Sequence, residues 1–201
     1  ALDRLEQMAV PMARSVAGLR RQEGVREALE SLASGGPVTA VRHGREPVWL
    51  IEPKNQLAAT FYRNSIIHVF LTASICEIAT VAAGRAADRH EAAEEEFWTV
   101  AYRLRDLLKF EFYFTGKEDF VRDVEIEMLR FGADWTEIIE GGSQRVSGVL
   151  RRRLPLTSPF TLRPFLESYA IVYDVLANAS ELPDRATVIS QALGLGEQYY
   201  A

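Results

Sequence analysis

Cysteine is nearly missing from this 201-residue chain, Cys76 being the single thiol. No internal disulfide is open to it. Lying within an apolar run, it reads as a small core residue suited to a reducing compartment. Positive charge is outnumbered, with 23 Lys and Arg against 28 Asp and Glu and a formal net charge of −5. That balance argues against nucleic acid as a partner, because phosphate binding wants clustered excess Lys and Arg. No serine elbow, phosphate loop, dinucleotide fingerprint or Cys/His metal spacing is present, so neither a metal nor a cofactor is expected. Internal repeats and low-complexity segments are absent as well. The first residues, ALDRLEQMAV, are amphipathic and charged, unlike a signal peptide. A start on Ala with a helix under way fits a fragment as well as a natural start.

What is present is ordinary for a soluble globular protein: 48% hydrophobic and 25% charged residues. A compact chain of this length buries roughly 70% of its unfolded surface and needs no metal or disulfide staple. The most apolar stretch is Leu57–Gly84. At helical spacing Leu57, Phe61, Asn64, His68, Leu71, Ile75 and Ile78 form one stripe, and Ala59, Tyr62, Ile66, Val69, Ala73, Cys76 and Thr80 form a second beside it. Such a helix, apolar nearly all round, is predicted to be buried at the centre of a helical domain. Ser65–Ala83 is long enough to span a bilayer, but His68, Glu77 and many small residues favour a core helix.

The rest reads as mainly α with one small β-hairpin near the N-terminus. Residues 1–56 form N-terminal helices plus the hairpin, and 57–201 a helical domain. Residues 2–17 make an amphipathic helix kinked at Pro11, and Gly24–Ser34 a second that stops at Gly35-Gly36-Pro37. Val38–Arg42 and Val48–Ile51 flank the turn His43-Gly44-Arg45-Glu46. After Gly84, Asp88 is placed to cap a helix with Phe97, Ala101, Leu104 and Leu108 inside, and His90 opens its acidic start. Thr115 to Glu118 has the spacing of a capping box ahead of Phe120, Val124, Met128 and Phe131. Trp135, Ile138 and Ile139 give a short amphipathic turn. RVSGVLRRRLPL is ambiguous and admits a strand. Ser158-Pro159 and Pro164 open helical stretches carrying Leu162, Leu166, Tyr169, Tyr173 and Leu176. Pro183-Asp184 opens a last helix predicted to bury Val188, Ile189, Ala192 and Leu193.

Candidate chemistry is thin. His43 and His90 read as solvated. His68 follows Asn64 by one helical turn, and such a pair either orients an imidazole for acid–base work or fixes the register of a core helix. Without a nucleophile or third partner nearby, the second reading is preferred. Glu91, Glu94, Glu95 and Glu96 read as a dipole-matched solvated face rather than a metal site. Arg151, Arg152 and Arg153 read as a solubilising loop that also offers a contact for phosphate or an anionic membrane surface.

EPVWLIEPKNQLAATFYRNSIIHVF, with Tyr62, Arg63, Asn64 and His68, resembles the opening of the C-terminal helical domain of bacterial glycerol-3-phosphate 1-O-acyltransferases. Leu108–Phe114 (LKFEFYF) and Leu162–Leu176 (LRPFLESYAIVYDVL) resemble later parts of the same domain. That family's reaction is carried by His-x-x-x-x-Asp, a general base and its orienting carboxylate. The fifth residue after His43 is Val48, after His68 Ala73 and after His90 Glu95, so the motif is missing here. Glu140-Gly141-Gly142-Ser143-Gln144-Arg145 looks like the family's glycerol-phosphate motif but falls in the wrong order, and reads as a loop ending a helix.

The resemblance implies a non-catalytic C-terminal domain without catalytic or substrate-binding residues. Tyr62, Arg63, Asn64 and His68 would form a structural polar cluster. The parent enzyme would acylate sn-glycerol 3-phosphate from acyl-CoA or acyl carrier protein, in phospholipid biosynthesis. It would act as a peripheral protein on the cytoplasmic side of the cell membrane, with this fragment itself soluble. Its partners would be the catalytic domain of the same polypeptide and the membrane surface. The competing reading is a winged-helix-like transcriptional regulator, with Gly24–Ser34 and the hairpin as last helix and wing and a helical ligand-binding or dimerisation body behind them. Two acids against one base in GVREALESLAS oppose it.

Overall fold

The computed structural model describes residues 22–42, 44 and 46–200. The predicted helix at 2–17, together with His43 and Arg45, lies outside the described residues. The chain falls into two compact units, one running to Thr72 and the other from Ala73. The architecture is mainly α with one antiparallel hairpin.

In the first unit, helix α1 (Gln22–Gly35) precedes strands β1 (Thr39–Arg42) and β2 (Pro47–Leu50), which pair Thr39 with Leu50 and Val41 with Val48. Glu52 follows, its carboxylate accepting the Thr39 hydroxyl at 2.9 Å and pairing with Lys54 at 2.8 Å. Helix α2 (Gln56–Ile66) then runs into a 3₁₀ turn, Ile67–Phe70, and on into α3 (Leu71–Asp88). The predicted single buried helix is therefore broken, and only its second half is core. Leu57 is 83% and Phe61 73% exposed, whereas Ile75, Cys76, Ala79 and Ala83 are fully buried. The break is local. A 3₁₀ turn has 3.0 residues per turn rather than 3.6, so four residues rotate the stripe by roughly 80° relative to a continuous α-helix. The exposed Leu57 and Phe61 lie in the first unit and the buried Ile75, Cys76, Ala79 and Ala83 in the second.

The second unit is packed around α3. Helix α4 (Ala93–Leu108) buries Phe97, Ala101, Leu104 and Leu108, the residues its periodicity selects. Asp88 does not cap it, because α3 extends to Asp88 and α4 begins only at Ala93. His90 lies between them with φ 60°, a left-handed position that ends α3. Helix α5 (Lys117–Leu129) buries Phe120, Val124 and Met128. Its N-cap is Gly116, without a side-chain cap, so the capping box is not formed. The Thr115 carbonyl instead accepts Arg105 at 2.9 Å, and Arg105 lies over the rings of Phe114 and Phe120.

Helix α6 (Trp135–Glu140) buries Ile138 and Ile139. RVSGVLRRRLPL is helix rather than strand: α7 (Gly142–Arg152) buries Val146, Val149 and Leu150, an i, i+3, i+4 set. The short α8 (Ser158–Thr161) leads to α9 (Arg163–Ala177), and α10 (Arg185–Tyr200) closes the chain. Asp184 accepts the Thr187 N–H at 2.8 Å at the start of α10. The predicted burial on α10 does not hold: Ile189 is 49% and Leu193 67% exposed. With Val172 they line an open apolar groove between α9 and α10.

Candidate functional site

The described residues of the expected polar cluster do not form a buried group. Asn64 and His68 are exposed and Arg63 is half-buried, while the Tyr62 side chain lies outside the described set. Arg63 donates to Asn64 Oδ1 from Nε (3.3 Å) and Nη2 (3.1 Å). Asn64 is thus engaged by its sequence neighbour. The expectation of a buried Asn64–His68 pair is corrected: both side chains are exposed, and both lie in the first unit, ahead of the buried half of the helix.

The polar residues inside the second unit are others. Glu77, on α3, is buried and bridges to the start of α8. Its Oε1 accepts the Thr157 N–H and hydroxyl, both at 2.9 Å, and its Oε2 accepts the Ser158 N–H at 2.7 Å. The Ser74 hydroxyl donates in turn to Thr157 Oγ1 at 3.1 Å. A carboxylate presented to the free N–H groups of a helix start does the work of an N-cap from a distance. This serine–threonine–glutamate chain contains no imidazole. It holds residues 157–158 against α3, beside an apolar recess of about 220 Å³ reaching Ile78, Val81, Arg85 and Leu150.

The second carboxylate is Glu127 on α5, also buried. Arg130 approaches its Oε2 at 2.8 Å and Arg153 its Oε1 at 3.7 Å. Arg153 Nη1 also donates to the Arg130 carbonyl at 2.5 Å, and its guanidinium covers the Phe131 ring at 4.2 Å. Arg130 is the C-cap of α5, so Arg153 supplies a cation where the helix presents its free carbonyls. The arginine triplet is therefore divided. Arg151 and Arg152 are exposed on the last turn of α7, and Arg153 is a structural clamp rather than part of a solubilising loop.

The third junction joins α3 to α7. The Ser143 N–H lies 3.1 and 3.3 Å from the two Asp88 oxygens. The Ser143 hydroxyl, then its N–H, holds the Asp88 carboxyl below the usual aspartate range. Gly142 has φ +77°, and a Cβ there would collide with Asp88 Oδ1. A Cβ on Gly84 would lie 2.9 Å from Val146 Cγ2 and 3.3 Å from the Gly142 carbonyl carbon. The Glu-Gly-Gly run thus serves close approach of two helices; it ends α6, with Gly141 as C-cap, and leads straight into α7 with no longer loop between them.

Two segments that carry the family resemblance meet here. Phe112 packs edge-to-face on Phe165 at 4.9 Å, and the Tyr169 hydroxyl donates to Glu111 at 3.1 Å. Burial first, then the Glu111 carboxylate, raises the Tyr169 phenol above its ordinary pKa. Among the described residues no group of three or more His, Cys, Asp or Glu could hold a metal ion. Sequence reasoning missed Glu77, Thr157 and Glu127 as anchors. The available signal was an acidic residue at a core-facing helix position, which has to find donors.

The Glu77, Asp88 and Glu127 carboxylates are thus engaged in joining elements of the second unit, and the fold is mainly helical with one hairpin. The whole chain, residues 1–201, matches the family described as the glycerol-3-phosphate acyltransferase C-terminal region, and the chain belongs to that family. Relatives in Mycobacterium bovis and in two strains of Mycobacterium tuberculosis, provisionally named acyltransferase plsB1, are 32% identical over 184 residues. The match covers 91% of this chain and 30% of each relative's length. No solved structure matches.

Proposed function

We propose that this chain is the non-catalytic C-terminal region of an enzyme that acylates the sn-1 hydroxyl of glycerol 3-phosphate from acyl-CoA or acyl carrier protein, in phospholipid biosynthesis. The family match along the full chain carries this reading. The absence of His-x-x-x-x-Asp from the sequence supports placing the chemistry in the remainder of the polypeptide. The engagement of Glu77, Asp88 and Glu127 by structural donors supports the same division. The region packs against the acyltransferase portion of the same polypeptide, and the whole works at the cytoplasmic face of the cell membrane. Exposed Arg151 and Arg152 are suited to an anionic lipid surface. The regulator alternative gains no observation in its favour.

The test compares purified full-length polypeptide with the 201-residue chain, each given radiolabelled glycerol 3-phosphate and acyl-CoA. Lysophosphatidate is expected from the first alone. Turnover by the 201-residue chain, or none by the full-length protein with either acyl donor, defeats the proposal.

A further inference from the structure

The hairpin of the first unit has two unequal faces. By strand alternation and the observed register, Thr39, Val41, Val48 and Leu50 share one face, and Ala40, Arg42, Pro47 and Trp49 the other. Helix α1 stands over the second face, where Arg26 pairs with Glu46 at 3.0 Å beside Trp49 and Pro47. The first face is open. Val41 is 41%, Val48 53% and Leu50 36% exposed, and Ile51 directly after it 48%. An aliphatic sheet face is the kind of surface that folded chains bury in a second layer, and a two-stranded sheet is marginal without one.

We infer that this Val41–Val48–Leu50 face is the seat on which the acyltransferase portion of the same polypeptide docks, through an apolar surface of its own. The inference rests on the proposed function for the identity of that portion. Three observations select the occupant. The relatives are more than three times as long as the segment they share with this chain, so in them a large body of protein accompanies it on the same polypeptide. The seat itself carries no charge, which excludes phosphate, acidic peptide and nucleic acid as its ligand. At its Thr39 edge the described charges are Glu52 and Lys54, which pair with each other, whereas a lipid surface selects an excess of Lys and Arg. Tethering on one chain further favours this contact, since a linked partner is held at high effective concentration.

The test uses the full-length protein with the photo-crosslinking residue p-benzoylphenylalanine placed at Val48, and separately at Val41. Illumination is followed by sizing under denaturing conditions and peptide mass spectrometry. The expected product has the mass of one polypeptide and links position 48 or 41 to residues outside the 201-residue segment. Adding Val48→Glu to the Val41 probe should abolish that link. Crosslinks between two copies, to lipid, or to residues 73–201, or no crosslink at all, overturn the assignment. Glycerol 3-phosphate acylation is measured on the unmodified full-length protein in parallel. Intramolecular crosslinks without acylation leave the seat standing and remove only the enzymatic reading; acylation without such crosslinks does the reverse.

Discussion

Removing the Glu77 carboxylate is the most informative single perturbation. Glu77→Ala deletes three charge-assisted acceptor contacts and leaves the Thr157 and Ser158 N–H groups unpaired. Hydrogen bonds to a charged group contribute about 1.5–3 kcal/mol each. The three share one carboxylate and are not additive, and Thr157 and Ser158 keep partial access to water. A total cost of about 3 kcal/mol is therefore expected, at the lower edge of the ~3–5 kcal/mol for stripping one partner from a buried charged pair. For a chain of this size that lowers Tm by roughly 6–12 °C. Glu77→Gln keeps the volume and one carbonyl oxygen for Thr157 but turns an amide N–H₂ toward the Ser158 N–H, so about half the loss is expected. Urea unfolding followed by far-ultraviolet circular dichroism, with calorimetry as the second probe, measures both variants. A Glu77→Ala loss below about 1 kcal/mol, or equal losses for Ala and Gln, would refute the clamp.

Other consequences are as definite. Gly142→Ala forces a Cβ against Asp88 at a left-handed φ, and should cost about 2 kcal/mol or more in the same unfolding assay, while Gly148→Ala, with open space around it, should be neutral or stabilising. Arg153→Ala should cost about 2 kcal/mol through loss of the Glu127, Arg130 and Phe131 contacts, and Arg151→Ala and Arg152→Ala should stay within about 0.5 kcal/mol. Asp88 and Asp184 are both held below the ordinary aspartate pKa, by Ser143 and by the Thr187 N–H respectively. Depressed carboxylates contribute stability that is present above the unfolded pKa of about 4 and is lost as pH falls through the folded value. Thermal melts across this acid range should show Asp88→Asn and Asp184→Asn losing less stability on acidification than the parent chain, and an unchanged acid slope would remove the linkage.

The sequence was most legible where a single period governed a whole element. Phe97, Ala101, Leu104 and Leu108 declared the buried side of α4, and Phe120, Val124 and Met128 that of α5. The β1–β2 hairpin was readable from two β-rich runs around a polar turn. Phase was less legible than period. Nothing in LAATFYRNSIIHVF announces four residues of 3₁₀ geometry, yet that turn breaks the predicted helix ahead of its buried half. Val146, Val149 and Leu150 did mark a helix, but the neighbouring glycines, β-branched residues and Pro155 masked it as a candidate strand. The clamps were invisible for a different reason. Glu77 meets Thr157 and Arg153 meets Glu127 across long stretches of chain, and no local pattern names a partner that only tertiary packing supplies. The family membership, by contrast, was readable from three short segments, two of which prove to touch.

The Glu77 junction also has a kinetic meaning. Its partners lie 80 and 81 residues away along the chain, and a contact of that separation forms only after a long loop has been closed against its entropy. Neighbouring helices such as α6 and α7 can assemble first, from contacts a few residues apart. The carboxylate then acts as a latch set late, absent from the folding transition state. Loosening it should leave the refolding rate nearly unchanged and quicken unfolding instead, a displacement of one arm of the denaturant-dependence plot that stopped-flow mixing resolves. The lifetime of the folded second unit, as distinct from the speed of its formation, is then set at a side chain whose partners the local sequence cannot name.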